Sequence, residues 1–212
     1  MRVSLPGPAG KLVGVLEIPE ELSVPRAAAI VCHPHPLHGG TLQNTLVVRT
    51  ARALRSAGIA TLRFNFRGVG GSEGVHDGRG AEEGDASAGL DHLVERFGPI
   101  PLWAAGYSFG ARTVCGLATR DARIARVVLV ALPVAVSPCA CVAALRQPGF
   151  LLFGSGDPFG TLTELARQTK DLPEGLHVDE IPGADHFFKG RTPILEERIG
   201  EYARRAIQER KR

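Results

Sequence analysis

The five residues Gly106-Tyr107-Ser108-Phe109-Gly110 constrain what this chain can fold into more than any other stretch. They fit the pattern G-x-S-x-G, in which a serine occupies a sharp turn between a strand and a helix. The flanks suit such a turn. Pro101-Leu102-Trp103-Ala104-Ala105 is an apolar run of strand length, and Ala111 to Thr119 reads as a helix of small and apolar residues, with Val114 and Leu117 for one face. A serine held in a strained backbone conformation crowds its neighbours. Positions 106 and 110 therefore call for residues without side chains, so that strand and helix can pass closely. Glycine and serine are common residues, and the pattern on its own is weak; its weight comes from the rest of the chain.

Apolar runs and helical segments alternate on either side of this turn. Strands are predicted over 11–18, 26–32, 59–66, 124–132, 150–153 and 176–181. Helices are predicted from Thr41, as the capping residue, to about Ser56, over Glu82–Arg96, Leu162–Lys170 and about Pro193–Gln208. Leu42, Leu46, Ala53 and Leu54 form the inner stripe of the first helix, and Gly58 stops it. The stretch from Pro133 to Pro148 has little pattern beyond a brief helical piece around 142–146. Such alternation predicts an α/β fold, a mostly parallel twisted sheet with helices on both faces. No repeat or long linker divides the chain, so residues 1–212 are expected to form a single domain.

The overall balance is that of an ordinary soluble globule. With 25 basic and 22 acidic residues the formal charge is +3, too small to call for nucleic acid or a membrane surface as partner. The first residues lack the apolar core of a signal peptide, which makes a cytoplasmic location the expectation. In that setting Cys32, Cys115, Cys139 and Cys141 are expected to be free, buried thiols, and the Cys139-Ala140-Cys141 spacing is too tight for zinc. The basic C-terminal stretch 202–212 suits the end of a helix, where the dipole favours positive charge.

In open α/β sheets, ligands bind beyond the carboxyl ends of the strands. Three predicted loops at that rim carry Ser108, Asp157 and His186, a chain order compatible with a nucleophile, an acid and a base. A serine hydroxyl is a feeble nucleophile at neutral pH and needs a base in hydrogen-bond reach. His186 can accept its proton, and Asp157 can orient and stabilise the imidazole. Asp185 competes for the acid's role, but its adjacency to His186 makes it hard for the two side chains to face each other. The reaction also needs N–H donors for a developing oxyanion. Phe109 N–H is one; the second is expected from the loop after the strand ending at Cys32, where Pro34 and Pro36 have no N–H. That leaves His35 and Leu37, with His35 favoured because its flanking prolines fix its direction.

Two other clusters have simpler readings. His33, His35 and His38 beside Cys32 could hold a metal, but no carboxylate is nearby in sequence, and the prolines suit a rigid loop that the imidazoles brace. No metal or other cofactor is called for. The run Arg67-Gly68-Val69-Gly70-Gly71-Ser72-Glu73-Gly74 lacks the spacing of a phosphate-binding loop, and no helix begins directly after its glycines.

Taken together, five segments resemble the compact α/β-hydrolase superfamily proteins without a lid. They are His33-Pro34-His35-Pro36 with Gly39-Gly40, the run from Arg63 to Gly70, Gly106 to Gly110, Gly154-Ser155-Gly156-Asp157, and Asp185-His186-Phe187-Phe188. The likeness spans about residues 10–205. It implies a serine hydrolase with Ser108, Asp157 and His186 as catalytic triad and esterase-type activity on a small-molecule substrate, with no substantial lid domain. Dienelactone hydrolases share the fold but use a cysteine where this chain has Ser108. Pro158-Phe159-Gly160 departs from the stretch that follows the acid in relatives, which bears on the pocket wall. The segment 133–148 is too short to hold a lid as well as a connection. An uncovered site grips long acyl chains poorly, so short esters or thioesters are expected, with Leu37, Phe109, Phe159 and Phe187 as an apolar cleft. The competing readings are a non-catalytic binding protein on the same scaffold and a same-fold peptidase or haloperoxidase.

Overall fold

The computed structural model describes residues 1–20, 22, 24–78, 80–137, 140–169 and 171–209. Its frame is one eight-stranded sheet in the order β1-β2-β4-β3-β5-β6-β7-β8. The strands are β1 (Arg2–Gly7), β2 (Gly10–Glu17), β3 (Ala27–Cys32), β4 (Ile59–Phe64), β5 (Leu102–Tyr107), β6 (Ile124–Val130), β7 (Gly149–Gly154) and β8 (Leu176–Ile181). From β4 to β8 across the sheet every pairing is parallel, and only β1 and β2 join antiparallel. Strands β3, β4, β5 and β7 are buried along their whole length, which is why they read as unbroken apolar runs rather than alternating ones.

The helices are α1 (Thr45–Ser56), α2 (Glu82–Phe97), α3 (Phe109–Ala118), α4 (Cys141–Ala144), α5 (Leu162–Gln168) and α6 (Thr192–Glu209). Alternate residues of β3 feed two cores. Ala28, Ile30 and Cys32 pack with Leu90 and Leu93 of α2 and Val114 of α3, whereas Ala27, Ala29 and Val31 pack with Leu54 of α1 and Ile199 and Ala203 of α6. From β3 the chain winds through α1 to β4 on one side and later through α2 to β5 on the other. The winding therefore reverses at β3, and the loops after β3 and β5 meet at the carboxyl rim, where this class of sheet binds ligands.

Several boundaries differ from expectation. Strand β1 escapes a sequence reading because Pro6 and Gly7 break its pattern; it survives as an edge, where a missing N–H costs no ladder bond. Helix α1 begins at Thr45, capped by Asn44 Oδ1 on Leu46 N–H at 2.9 Å, not at Thr41. The preceding residues are claimed by tertiary bonds: Leu42 N–H donates to Asn65 Oδ1 at 2.8 Å, and Leu42 O accepts from Arg63 Nη1 at 2.7 Å. Leu42 is buried, but outside the helix. The expected end of α5 at Lys170 and the basic residues 210–212 lie outside the described residues.

The glycine-rich loop after β4 ties that strand to α2. Arg67 holds the buried Asp85 carboxylate with Nη2 at 2.7 Å, and Arg67 N–H donates to the same group at 2.9 Å. The expectation of free thiols fails for two cysteines. Cys115 of α3 and Cys141 of α4 form a disulfide with Cα atoms 5.7 Å apart, a pairing that needs α4 packed against α3. Cys32 is a free, buried thiol whose pKa burial pushes up. Cys139, and with it the Cys139/Cys141 spacing, lies outside the described residues.

Candidate active site

Ser108 caps α3 directly after β5, with φ 54° and ψ −116°, one of three described non-glycine residues with positive φ. That conformation is costly for a residue with a side chain and persists only where the surroundings hold it. The hold is visible in the flanking glycines. A Cβ on Gly106 would stand 2.3 Å from the backbone of Gly110, and one on Gly110 would stand 2.4 Å from Cys32 O. Strand, turn and helix thus touch backbone to backbone, and Ser108 N–H is anchored on Val130 O at 2.9 Å.

Asp157 follows β7 and His186 follows β8, adjacent parallel strands. Their loops are bonded to each other: Gly156 N–H donates to Ala184 O at 2.9 Å, and Gly183 N–H donates to Ser155 Oγ at 2.8 Å. Across this frame Asp157 Oδ2 lies 2.7 Å from His186 Nδ1, and His186 Nε2 lies 3.0 Å from Ser108 Oγ. The second Asp157 oxygen accepts Phe159 N–H at 2.8 Å. Both Asp157 and His186 are buried. Asp185 is turned elsewhere; its Oδ1 accepts from Phe187 N–H at 3.1 Å and Lys189 N–H at 3.0 Å, which shapes the turn. Of the two aspartates, only Asp157 faces the imidazole. With a carboxylate on Nδ1, the other nitrogen is left as the acceptor toward Ser108. Such an arrangement can take a proton from the hydroxyl and hold the resulting imidazolium beside a negative charge.

The loop after β3 packs against the same place. His33 Nε2 accepts Phe66 N–H at 3.0 Å, so its proton sits on Nδ1, which donates to Pro34 O at 2.7 Å. Burial lowers its pKa to about 4. With both ring nitrogens engaged, His33 braces the loop and has no lone pair to spare for a metal. Among the described residues no group of three or more His, Cys, Asp or Glu side chains is placed to hold one. His35 Nδ1 accepts Leu37 N–H at 3.2 Å, which leaves Leu37 without a spare donor. The N–H groups of His35 and Phe109 have no protein acceptor among the described residues. The His35 ring is stacked on His38 with centroids 4.5 Å apart, and burial followed by the charges of His38 and His76 lowers its pKa.

A cavity of about 330 Å³ opens beside Ser108 and His186. Phe109, Phe159, Phe187, Pro133 and Val136 form its apolar wall, with the Phe159 ring 4.6 Å from that of His186. Leu37 does not line it. It sits on a 3₁₀ turn, Pro36–His38, and is 73% exposed, because the tight turn rotates its side chain off the loop's inner face. His35, His38, Asn44 and Arg112 supply the polar wall. Arg112 was legible in principle, standing four residues after Ser108 on the same helix; Pro133 and Val136 leave no local signal. Tyr107 is a further residue without a sequence signal. Its buried phenol, with pKa pushed up by burial and then by Asp157, donates to His186 O at 3.1 Å and sets the height of that loop. A larger cavity of about 570 Å³ lies at the amino ends of the strands, lined by Arg26, Arg52, Arg55 and Arg204. Among the described residues it holds no pairing of nucleophile and base, so the smaller cavity is the candidate site.

Known proteins share this fold. A family model described as an α/β-hydrolase domain matches residues 27–209. An uncharacterized protein of Rickettsia prowazekii is 32% identical over 205 residues, which cover 92% of this chain and 85% of that one. An α/β serine hydrolase homologue from Coxiella burnetii superposes with a TM-score of 0.87 at 32% identity, covering 95% of this chain and 96% of its own. A protein of Xanthomonas campestris, described as an α/β serine hydrolase without a lid, superposes with a TM-score of 0.85 at 30% identity over 97% and 94% of the two chains.

Proposed function

The chain belongs to the α/β-hydrolase family, and on that premise we propose that it is a single-domain serine hydrolase cleaving small carboxylic esters or thioesters through an acyl-enzyme on Ser108. The observation that carries the reading is the hydrogen-bonded line from Asp157 Oδ2 through His186 to Ser108 Oγ, with links of 2.7 and 3.0 Å. Ser108 Oγ attacks the carbonyl carbon while its proton passes to His186 Nε2, and the imidazolium is stabilised by Asp157. The carbonyl oxygen, now an anion, is held by Phe109 N–H and His35 N–H, two donors with no competing protein acceptor among the described residues. Collapse of the intermediate breaks the ester bond, and the alcohol or thiol leaves with the proton from His186. Water then repeats the sequence on the acyl-enzyme, giving up its proton to His186 and releasing the acid and the free Ser108 hydroxyl.

Ser108→Ala tests the assignment. It should abolish covalent labelling by a fluorophosphonate probe and lower kcat on p-nitrophenyl butyrate by roughly four orders of magnitude or more. Labelling that persists in the variant would assign the nucleophile to another residue.

A further inference from the structure

The substrate-binding side of the cavity is electrically one-sided. Among the described residues no aspartate or glutamate lines it, whereas Arg112 does, beside Asn44 and His38. Several other arginines have carboxylate partners, such as Arg67 with Asp85 and Arg63 with Glu17. Arg112 has none among the described residues. Its place follows from helix geometry. Ser108 caps α3, and Arg112 N–H closes the first turn on Ser108 O at 3.0 Å. The two residues are thus one turn apart, about 6 Å along the axis. Helical side chains lean toward the amino end, and Arg112, though solvent-exposed, borders the same cavity as Ser108. Asn44 adds a neutral donor, since its Oδ1 is spent on the α1 cap and its amide group has no acceptor among the described residues.

A planar, permanently charged fork with no counter-charge matches a carboxylate two-pronged, and one cation balances one anion. We propose that Arg112 is a specificity residue selecting esters or thioesters that carry a carboxylate a few bonds from the scissile carbonyl. The proposal rests on the serine-hydrolase reading and narrows its substrate class. The opposite, apolar wall of Phe159, Pro133 and Val136 takes the uncharged part of the same molecule.

Two matched ester pairs test it, one with the charge on each side of the bond broken. Monoethyl glutarate against ethyl hexanoate places the charge on the acyl side; 4-butyryloxybenzoate against 4-butyryloxybenzamide places it on the leaving group. In at least one pair the wild-type protein should favour the anion in kcat/KM, through KM. Arg112→Gln should lower that preference about tenfold, Arg112→Lys should restore part of it, and added salt should weaken it. The pair that responds tells which side the carboxylate occupies. Wild-type ratios at or below one in both pairs, or ratios unmoved by Arg112→Gln, would overturn the proposal while leaving ester hydrolysis standing. If no ester were turned over, the hydrolase reading would fail separately. Calorimetric titration of Ser108→Ala, with and without Arg112→Gln, by both members of each pair then reads the anion preference without catalysis. Equal binding of anion and neutral partner by Ser108→Ala in both pairs would likewise overturn it.

Discussion

His33 never reaches the cavity, yet it decides how the loop carrying His35 is held. Its two nitrogens join Phe66 N–H to Pro34 O, and only the neutral ring can accept from one and donate to the other. Burial lowers its pKa from an ordinary 6.5 to about 4, against the opposing pull of the Pro34 hydrogen bond. Between those values the unfolded chain binds more protons than the folded one, so stability falls as pH drops from about 6.5 to about 4. Above 6.5 this group contributes no slope. The loss by pH 4 is about 3 kcal/mol. Urea midpoints measured from pH 7.5 down to 4.5 should show the decline, and His33→Gln should flatten it; an identical slope in the variant refutes the account. At this scale a sequence is informative about identity and mute about partners. Ser108, Asp157 and His186 stand out as residue types in a telling order. That Asp157 rather than Asp185 faces the imidazole depends on which oxygen each neighbouring N–H claims.

Among the elements, the central strands and the helices α2 and α6 declare themselves through periodicity, because burial on a face demands apolar residues at fixed intervals. The start of α1 does not. Thr41 and Asn44 are both good caps, and the choice falls to Asn44 because distant Asn65 and Arg63 bind the backbone of Leu42. The disulfide between α3 and α4 is hidden for the same reason: its partners are 26 residues apart with β6 between them. A loop of that size contributes about 3 kcal/mol when closed. Equilibrium unfolding with and without dithiothreitol should differ by that amount; coincident curves would show that the bridge does not form or does not constrain. Because Pro133, Val136 and Ser137 line the cavity just ahead of the tethered segment, reduction is also expected to loosen that wall.

For the molecule as a whole, the placement of the site follows from winding. The chain reverses direction around β3, and the loops after β3, β5, β7 and β8 gather at one rim. Of the short 133–148 stretch, Pro133, Val136 and Ser137 line the cavity among the described residues. An open cleft in which Phe187 remains 66% exposed buries little of a long acyl chain. Among acetyl, butyryl and dodecanoyl p-nitrophenyl esters, kcat/KM should therefore peak at the short members; fastest turnover of the dodecanoyl ester would contradict an open site. The sequence by itself determined the parallel α/β layering, the serine on its glycine-flanked turn and the identities of the acid and base candidates. Each of these is encoded locally, in hydrophobic period, in steric need and in residue chemistry. Only the tertiary structure decided which distant side chains share a cavity: it admitted Asn44 and Val136, excluded Leu37, and joined Cys115 to Cys141. Those are contacts between segments far apart in the chain, and no short-range pattern records them until the sheet has brought their ends together.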